Sequence, residues 1–462
     1  MEDTSASIVI PADTCDIERL RVSIHSALNQ NYPNIEVIVA SNILNEDISH
    51  LIETFNSQLR HVINRSTAPN STRIAGEQAA TGKIVFYLLP GDKFHQNKIR
   101  EHVVIRDEHP DVVLSYNSKF LVDTNGEIWH QTSFSPTTNI TNFIDILPIQ
   151  LSEIAIQKDW ISQIVTLDNR YGSTGGDINF ILRCVSEGCS VVGINKPLNY
   201  HIKEAGTYRK NVTDRFDGLI RAFDDFFSDQ QCPQEVRKRR NQIIGKVCCE
   251  GAHWAFIGNQ TSDGQELARR AIRADRSLLD GQADEFLEPL VEAILFCEEE
   301  VESVIRRVFS QLPPELAWIT QYTRKVIANT LLQRGIAGAL YGREKQAEID
   351  FVNSAMFGIE LQGDRMQKIL SQVLDYEATF GSDATRRAIN VIGQNLKNIG
   401  LYKEGKWLKG THFINRAFDN FQKGRNDLVI SDVRSAVFSR PSFLLNSGVL
   451  SISLRSLRKL LH

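Results

Sequence analysis

Apolar residues in the first two hundred positions alternate between short continuous runs and runs with helical spacing. The strand-length runs are residues 7–11, 35–40, 61–63 and 84–89. The runs whose apolar side chains recur every three or four positions, as on one face of a helix, are residues 17–28, 48–59 and 73–81. We expect Gly82 to end the last of these helices. This order predicts an α/β fold with a mainly parallel central sheet.

After about residue 205 the strand-like runs become scarce and helical spacing continues to the end. Two stretches, residues 247–280 and 411–445, share one pattern of a helix, a polar turn with Gly264 or Gly424, and a second helix. Such pairs are typical of tetratricopeptide-like helical hairpins. The sequence therefore predicts an α/β domain over residues 1–205 and an all-α domain over residues 206–462.

Composition and charge narrow the class of protein. Of the 462 residues, 42% are hydrophobic and 23% are charged, which is typical of a folded globular chain. The formal net charge is −4, so no overall basic character predicts a nucleic-acid partner. Seven cysteines without a CxxC pair predict neither a disulfide scaffold nor a structural zinc site.

The chain shows no pattern of a signal peptide or a membrane span. Its first seven residues are acidic rather than basic, and the most apolar run, residues 84–89, is far shorter than a span requires. We therefore expect a cytoplasmic protein that makes at most a peripheral contact with the inner face of the membrane.

Five segments of the first half resemble the family 2 glycosyltransferases. The most specific is SALNQNYPNIEVIV at residues 26–39, which matches the family run S-x-L-x-Q-x-Y-P-N-x-E-x-I-V. Residues 7–11 are similar to the opening strand, and residues 86–92 occupy the place of the acidic motif. The remaining matches are Arg73, Gly76, Ala80 and Gly82 in the family's R-N-x-G helix, and residues 171–177 with Arg183 and Gly188 in its G-E-D motif.

The resemblance implies a nucleotide-sugar-binding fold of the GT-A type and an inverting, hexosyltransferase-type reaction. By this resemblance Asp177 is the base that takes the acceptor proton, and Asp92 holds a Mg²⁺ or Mn²⁺ ion on the donor diphosphate. His201, which follows a predicted strand, is a candidate further metal ligand. The other implied donor-binding residues are Pro11, Asp13, Ser41, Asn42, Arg73 and Gly91.

Two departures from the family pattern leave a second function open. The acidic D-x-D-D motif is matched by Leu89, Pro90, Gly91 and Asp92, so only its last acid is present. The acidic pair after the second strand is matched by Ser41 and Asn42. The alternative is therefore a catalytically degenerate relative that acts as a scaffold through its helices. A nucleotidyl-type enzyme on a similar fold is a third reading, which the GGD segment at residues 175–177 disfavours.

Each candidate also has a structural interpretation. Asp92 could end a strand in a turn, and Asp177 could be the N-cap of a helix that starts at residue 178. His201 could be an ordinary half-buried imidazole. The basic amphipathic pattern of residues 453–462 suits either a membrane surface or docking onto the helical domain.

The resemblance also suggests partners. We expect a nucleotide-sugar donor and a glycan or lipid-linked glycan acceptor, as in surface polysaccharide synthesis. A homo-oligomer is left open. The sequence does not identify the sugar, the acceptor or the linkage.

Overall fold

A computed structural model shows a chain made of two compact units, Met1–Thr320 and Gln321–His462. The structure describes residues 4–12, 16–42, 46–66, 68, 70–134, 144, 149–164, 169–203, 212–279, 283–295, 297 and 299–460. No helix in these ranges is long and apolar enough to cross a membrane.

The first unit contains a mixed sheet whose longer pairings are parallel. Its strands are β1 (Ala6–Ala12), β2 (Ile35–Asn42), β3 (Arg60–Asn64), β4 (Ile84–Tyr87), β5 (Lys93–Phe94), β6 (Leu114–Val122), β7 (Ile128–Gln131), β8 (Ile154–Gln157) and β9 (Val191–Ile202). Their order across the sheet is β3-β2-β1-β4-β8-β6-β9-β5, with β7 paired to β6. Strands β1–β4 pair in parallel, as do β6 and β9, whereas β8 runs antiparallel between β4 and β6.

The helices divide between the two units. Those of the first unit are α1 (Ile17–Leu28), α2 (Glu46–Glu53), α3 (Ser71–Ala79), α4 (Lys98–Glu108), α5 (Lys158–Ile164), α6 (Gly172–Ser186), α7 (Val212–Ser228), α8 (Gln234–Arg237), α9 (Arg240–Ile257), α10 (Thr261–Ala274), α11 (Ala283–Ile294) and α12 (Val301–Ser310). Those of the second are α13 (Thr323–Leu340), α14 (Glu344–Met356), α15 (Gly363–Asn398, kinked at Gly381), α16 (Tyr402–Gln422), α17 (Asn426–Ser439) and α18 (Ser447–Leu460).

The predicted fold class is confirmed by the sheet order and by the helical structure that follows β9. Helices α7 to α12 belong to the same compact unit as the sheet. The predicted boundary at residue 205 therefore coincides with a change of secondary structure. As a boundary between domains it stays a prediction. The second predicted helix is shorter than residues 48–59, since α2 ends at Glu53 and a short 3-10 turn follows.

The expected role of Gly82 as a helix breaker is wrong. Helix α3 ends at Ala79 with Ala80 as its C-cap, before Gly82 is reached. A Cβ atom at Gly82 would lie 2.6 Å from the backbone nitrogen of Ser7. The missing side chain therefore lets the chain pass close to β1 as it enters β4.

Glu36, the acid of the family run at residues 26–39, joins β1, β2 and the turn before β4. Its Oε1 atom accepts hydrogen bonds from Ser7 Oγ (2.5 Å), from Thr81 N (2.5 Å) and Oγ1 (2.7 Å), and from Gly82 N (3.1 Å). Burial opposes ionisation, yet these four donors hold the pKa of Glu36 below its usual value. Glu36 thus has a structural role, since it ties β1 and β2 to the turn before β4.

We expect Glu36→Gln to lower the free energy of unfolding at neutral pH by about 1–3 kcal/mol, because hydrogen bonds to a charged acceptor become neutral ones. Since the folded-state pKa is lowered, this contribution is complete above the ordinary value of 4.5 and is lost as the pH falls through the lower folded value. Denaturant unfolding at neutral and acidic pH measures it. Glu187→Gln, at an exposed site, is the control; an equal loss at both pH values would contradict the assignment.

The two predicted helical pairs are present, as α9 with α10 and α16 with α17, and a third pair joins α13 to α14. All three turns use a residue with positive φ: Asn259, Gly342 and Gly424. In each, the next amide reaches back five residues: Gln260 N to Ala255 O, Arg343 N to Gly338 O and Arg425 N to Asn420 O. Gly264 was wrongly placed in a turn, since it lies inside α10.

Candidate functional site

Helix α1 fixes the loop that carries Asp92. Ser23 Oγ accepts a hydrogen bond from Gly91 N (3.0 Å) and donates to Asp92 O (2.7 Å). Gly91 has a φ of +98°, which favours glycine in this tight connection. Ser26 Oγ accepts from Phe94 N (3.1 Å), and Gln30 Nε2 donates to the carbonyl oxygen of His95 (3.1 Å). The serine and glutamine of the family run therefore hold the loop after β4.

Asp92 is buried, and His201 at the end of β9 lies beside it. His201 Nδ1 is 2.8 Å from Asp92 Oδ1, and its Nε2 is 3.3 Å from Gln150 Nε2. Within the described ranges, no donor reaches the other carboxylate oxygen, Oδ2, although that atom is buried. A buried acceptor without a partner is costly, so Oδ2 is available to a cation or a donor from a ligand.

The residues around Asp92 fit a hard divalent cation that takes most of its ligands from elsewhere. No group of three or more His, Cys, Asp or Glu side chains able to hold a metal occurs in the described part of the chain. Mg²⁺ commonly uses one or two carboxylates and completes its shell with phosphate oxygens and waters. The free Oδ2 atom of Asp92 suits such an ion, and the bond from His201 fixes the orientation of the carboxylate.

Asp177 lies inside α6, beside a buried arginine. Helix α6 begins at Gly172 with Tyr171 as its N-cap, so the N-cap interpretation of Asp177 is wrong. Arg73 Nε is 3.8 Å from Asp177 Oδ1, and Arg73 also pairs with Glu77 at 2.5 Å one turn along α3. Tyr87 at the end of β4 donates to Glu77 Oε1 (2.9 Å). These four residues, Arg73, Glu77, Tyr87 and Asp177, form what we call the Arg73 network.

Burial sets the pKa of Asp177, and the charges of the Arg73 network adjust it. Burial raises this pKa to about 7, the Arg73 guanidinium opposes the rise, and the Glu77 carboxylate adds to it. Burial also raises the pKa of Glu77, against the effect of Arg73. Asp177 can therefore exchange a proton near neutral pH, as a general base requires.

Two glycines allow α6 to take this position. A Cβ atom at Gly175 would lie 2.5 Å from the backbone of Gly218 in α7, and one at Gly176 would lie 2.1 Å from Asn70 Nδ2. The ring of Phe180, one turn after Asp177, packs edge-on against Tyr87 with centroids 6.0 Å apart. The glycines before Asp177 thus let α6 approach α7 and Asn70, while Phe180 makes the contact with the end of β4.

The predicted nucleoside-binding residues lie where neighbouring parallel strands end. Register pairs Ala12 of β1 with Ser41 of β2, and Asn42 with Asn64 of β3. The side chain of Ser41 lies 2.8 Å from His61 Nε2, and burial lowers the pKa of this histidine. Among the residues described, none donates to the buried Oδ1 atom of Asn42. Pro11 precedes Ala12 in β1, and Asp13 lies outside the described residues.

Several residues of the site were not predicted from the sequence. Ser23 and His61 lie on predicted elements, but only the folded chain places them against the Asp92 loop and Ser41. Glu77 falls four residues after Arg73 on the same helix face, a spacing that could have indicated the pair. Tyr87 joins this pair only through the packing of α3 on the sheet.

A buried lysine lies near the same end of the sheet. Lys98 is fully buried, donates to Asn117 Oδ1 and lies over the ring of Phe94 at 4.8 Å. Burial lowers its pKa to about 7, against the opposing charges of Glu153 and Asp92. Its charge therefore depends on how much negative charge the Asp92 region carries.

Comparison with known sequences finds a family match that contains Arg73 and Asp92 and ends before Asp177 and His201. The sequence model described as "Glycosyl transferase family 2" matches residues 7–162. This match confirms the resemblance seen in the sequence. An uncharacterized glycosyltransferase of Rickettsia bellii is 30% identical over 129 residues, which are 28% of this chain and 18% of that protein. The match therefore spans less than a fifth of the relative's length.

Solved structures give similarities of low score. S. aureus TarS has a TM-score of 0.40 and 14% identity, over 71% of this chain and 54% of that chain. Residues 1–349 of TarS, in complex with UDP-GlcNAc, have a TM-score of 0.40 and 13% identity, over 74% of this chain and 92% of that chain. Mannosyltransferase PcManGT from Pyrobaculum calidifontis, in complex with GDP-Man and Mn²⁺, has a TM-score of 0.40 and 12% identity, over 71% of this chain and 87% of that chain.

Proposed function

We propose that this chain, in which residues 7–162 form a family 2 glycosyltransferase domain, transfers a sugar from a nucleotide-sugar donor to a hydroxyl acceptor with inversion. The observation that supports this most directly is Asp177. Its carboxylate lies next to Arg73 on a helix packed against the end of β4, and its pKa is about 7. A carboxylate of this kind is suited to take the proton of an attacking hydroxyl group.

In the proposed reaction, the acceptor hydroxyl oxygen forms a bond to the anomeric carbon as the bond to the diphosphate breaks. An oxygen of Asp177 takes the hydroxyl proton. Attack comes from the face opposite the leaving group, so the configuration at the anomeric carbon inverts. Arg73 keeps the base ionised and in place, because its guanidinium favours the charged form of Asp177.

Asp92 and His201 are the residues we propose to face the donor diphosphate. A bound Mg²⁺ or Mn²⁺ ion would neutralise the charge that develops on the leaving diphosphate. The free Oδ2 atom of Asp92 would hold it, with His201 orienting the carboxylate through Oδ1. Gly91 would serve this site through its positive φ, which allows the turn that presents Asp92. The nucleoside would lie at the strand ends, in contact with Pro11, Asp13, Ser41 and Asn42.

The test is thermal stabilisation of the protein by nucleotide diphosphates and their sugars, with and without Mn²⁺. At 100 times its dissociation constant, a ligand adds about 2.7 kcal/mol to the free energy of unfolding. We expect a metal-dependent rise in melting temperature with one nucleotide class. We also expect Asp92→Asn to remove the metal-dependent part, since Oδ2 would no longer carry a negative charge.

Asp159→Asn changes an exposed carboxylate of the same unit and should leave the shift intact. If the metal-dependent rise in melting temperature were the same in Asp92→Asn, other residues would have to bind the metal. No shift with any nucleotide at millimolar concentration would contradict the proposed transfer reaction.

The second candidate function is a scaffold without catalysis. It is supported by Leu89, Pro90 and Gly91, which stand where the family carries further acids, and by three helical pairs with a common turn. In that case α9–α10, α13–α14 and α16–α17 would bind a protein partner. The glycan acceptor, a cytoplasmic location and a homo-oligomer stay predictions.

A further inference from the structure

The stretch of residues 433–460 has an unusual charge. This stretch contains five cations, Arg434, Arg440, Arg455, Arg458 and Lys459, and no aspartate or glutamate. The chain as a whole has a formal net charge of −4. A local excess of five positive charges in an acidic protein is the electrostatic pattern of a site for an anionic surface. We call the exposed part of residues 433–460 the basic surface.

Large apolar side chains project from the same stretch. Phe438, near the end of α17, is 87% exposed, and Leu445, just before α18, is 88% exposed. Single exposed apolar side chains are common, whereas several of them close together indicate an interaction site. The short 3-10 turn Pro441–Leu445 that carries Leu445 also contacts α18.

Helix α18 has two apolar stripes, and in the part of the chain that the structure describes only one of them packs against other helices. Val449 and Ile452 are buried against the neighbouring helices of the unit. Leu450, Leu454 and Leu457, at spacings of four and three, are exposed by 44%, 67% and 44%. At about 100° per residue these three lie within one narrow stripe of the helix. The helix is therefore docked on the bundle and still presents an apolar stripe to solvent.

We propose that the basic surface binds the surface of an anionic phospholipid membrane. The leucine stripe of α18, with Phe438 and Leu445, would enter the interface, and the five cations would lie among the lipid phosphates. An apolar stripe flanked by cations and free of acids is the arrangement that such interfaces bind. The proposal is independent of the proposed transfer reaction.

The charge of the basic surface also disfavours a second copy of this chain as its binding partner. A two-fold symmetric dimer brings the same patch of both subunits together. Here that would place ten cations around one apolar contact with no acid of residues 433–460 to pair with them. Lipid phosphates supply the missing negative charge.

The test is co-sedimentation of the full chain with vesicles. We expect binding to phosphatidylcholine vesicles that contain about a quarter phosphatidylglycerol, and little binding to pure phosphatidylcholine. High salt should release the protein, because it screens the phosphate–cation attraction. Arg455→Ala/Arg458→Ala should weaken binding by roughly five-fold per cation. Phe438→Ser/Leu445→Ser should weaken it without unfolding the protein, since both side chains are exposed.

Two matched variants serve as controls. Ile349→Ser/Met356→Ser removes exposed apolar side chains of α14, and Lys397→Ala/Lys403→Ala removes two exposed cations elsewhere in the same unit. Both should bind anionic vesicles as the parent protein does. Absence of binding at low salt, or equal binding by the parent and the basic-surface variants, would overturn the proposal. A concentration-dependent dimer that is lost in Phe438→Ser/Leu445→Ser would replace the membrane by a second copy.

Discussion

Replacing Asp177 with asparagine is expected to lower the rate of sugar transfer by about 10²–10⁴-fold, the usual contribution of a general base. Asparagine keeps the shape of the side chain but cannot take a proton. Its fold should persist, because burial already disfavours the charge on Asp177 and raises its pKa to about 7. Single-turnover transfer assays and melting curves of the parent and Asp177→Asn proteins measure the two effects separately.

The pH dependence gives an independent check on Asp177. A base with a pKa of about 7 is ionised only above that value, so the rate should rise as the pH increases through neutrality. Asp214→Asn, which changes an exposed carboxylate of α7, should leave both rate and profile unchanged. Full activity of Asp177→Asn would show that another group takes the proton. Loss of activity together with loss of the fold would show a structural role instead.

Replacing Arg73 with methionine is expected to destabilise the protein by about 3–5 kcal/mol. The substitution leaves Glu77 buried without its cation, and an uncompensated buried charge is expensive. Because burial raises the pKa of Glu77, the folded state holds its proton more tightly than the unfolded state does. Stability must then fall as the pH rises above the ordinary value of 4.5. Denaturant unfolding of Arg73→Met should therefore show a larger loss at high pH than at low pH.

The same substitution should change catalysis in a way that simple destabilisation would not. Arg73 lowers the pKa of Asp177, so in Arg73→Met the pH–rate profile should move to higher pH. Arg73→Lys keeps a positive charge and should restore much of the profile. The double variant Arg73→Met/Glu77→Leu should recover most of the stability. It should recover only part of the profile, because loss of the Glu77 carboxylate lowers the pKa of Asp177 by less than loss of Arg73 raises it. A profile identical to that of the parent would contradict a link between Arg73 and the base.

The sequence was most informative where a pattern repeats along a single element. Helix α1 covers Ile17–Leu28 as predicted, because apolar spacing depends only on which face packs on the sheet. The second predicted helix was too long, since the apolar pattern does not show where α2 gives way to a 3-10 turn. Gly82 and Gly264 were misread because a close contact with Ser7 or Phe256 leaves no mark in local sequence.

The sequence alone determined the α/β order, the resemblance of residues 7–162 to family 2 glycosyltransferases, and the candidates Asp92 and Asp177. Each of these depends on residues that are near one another in the chain. Only the tertiary structure decided which groups face these carboxylates. Arg73 reaches Asp177 over about a hundred residues of chain, and His201 reaches Asp92 over a similar separation. The first pair is made by the packing of α3 and α6, and the second by the pairing of β5 with β9. The pKa of a buried acid depends on such distant neighbours rather than on its own motif.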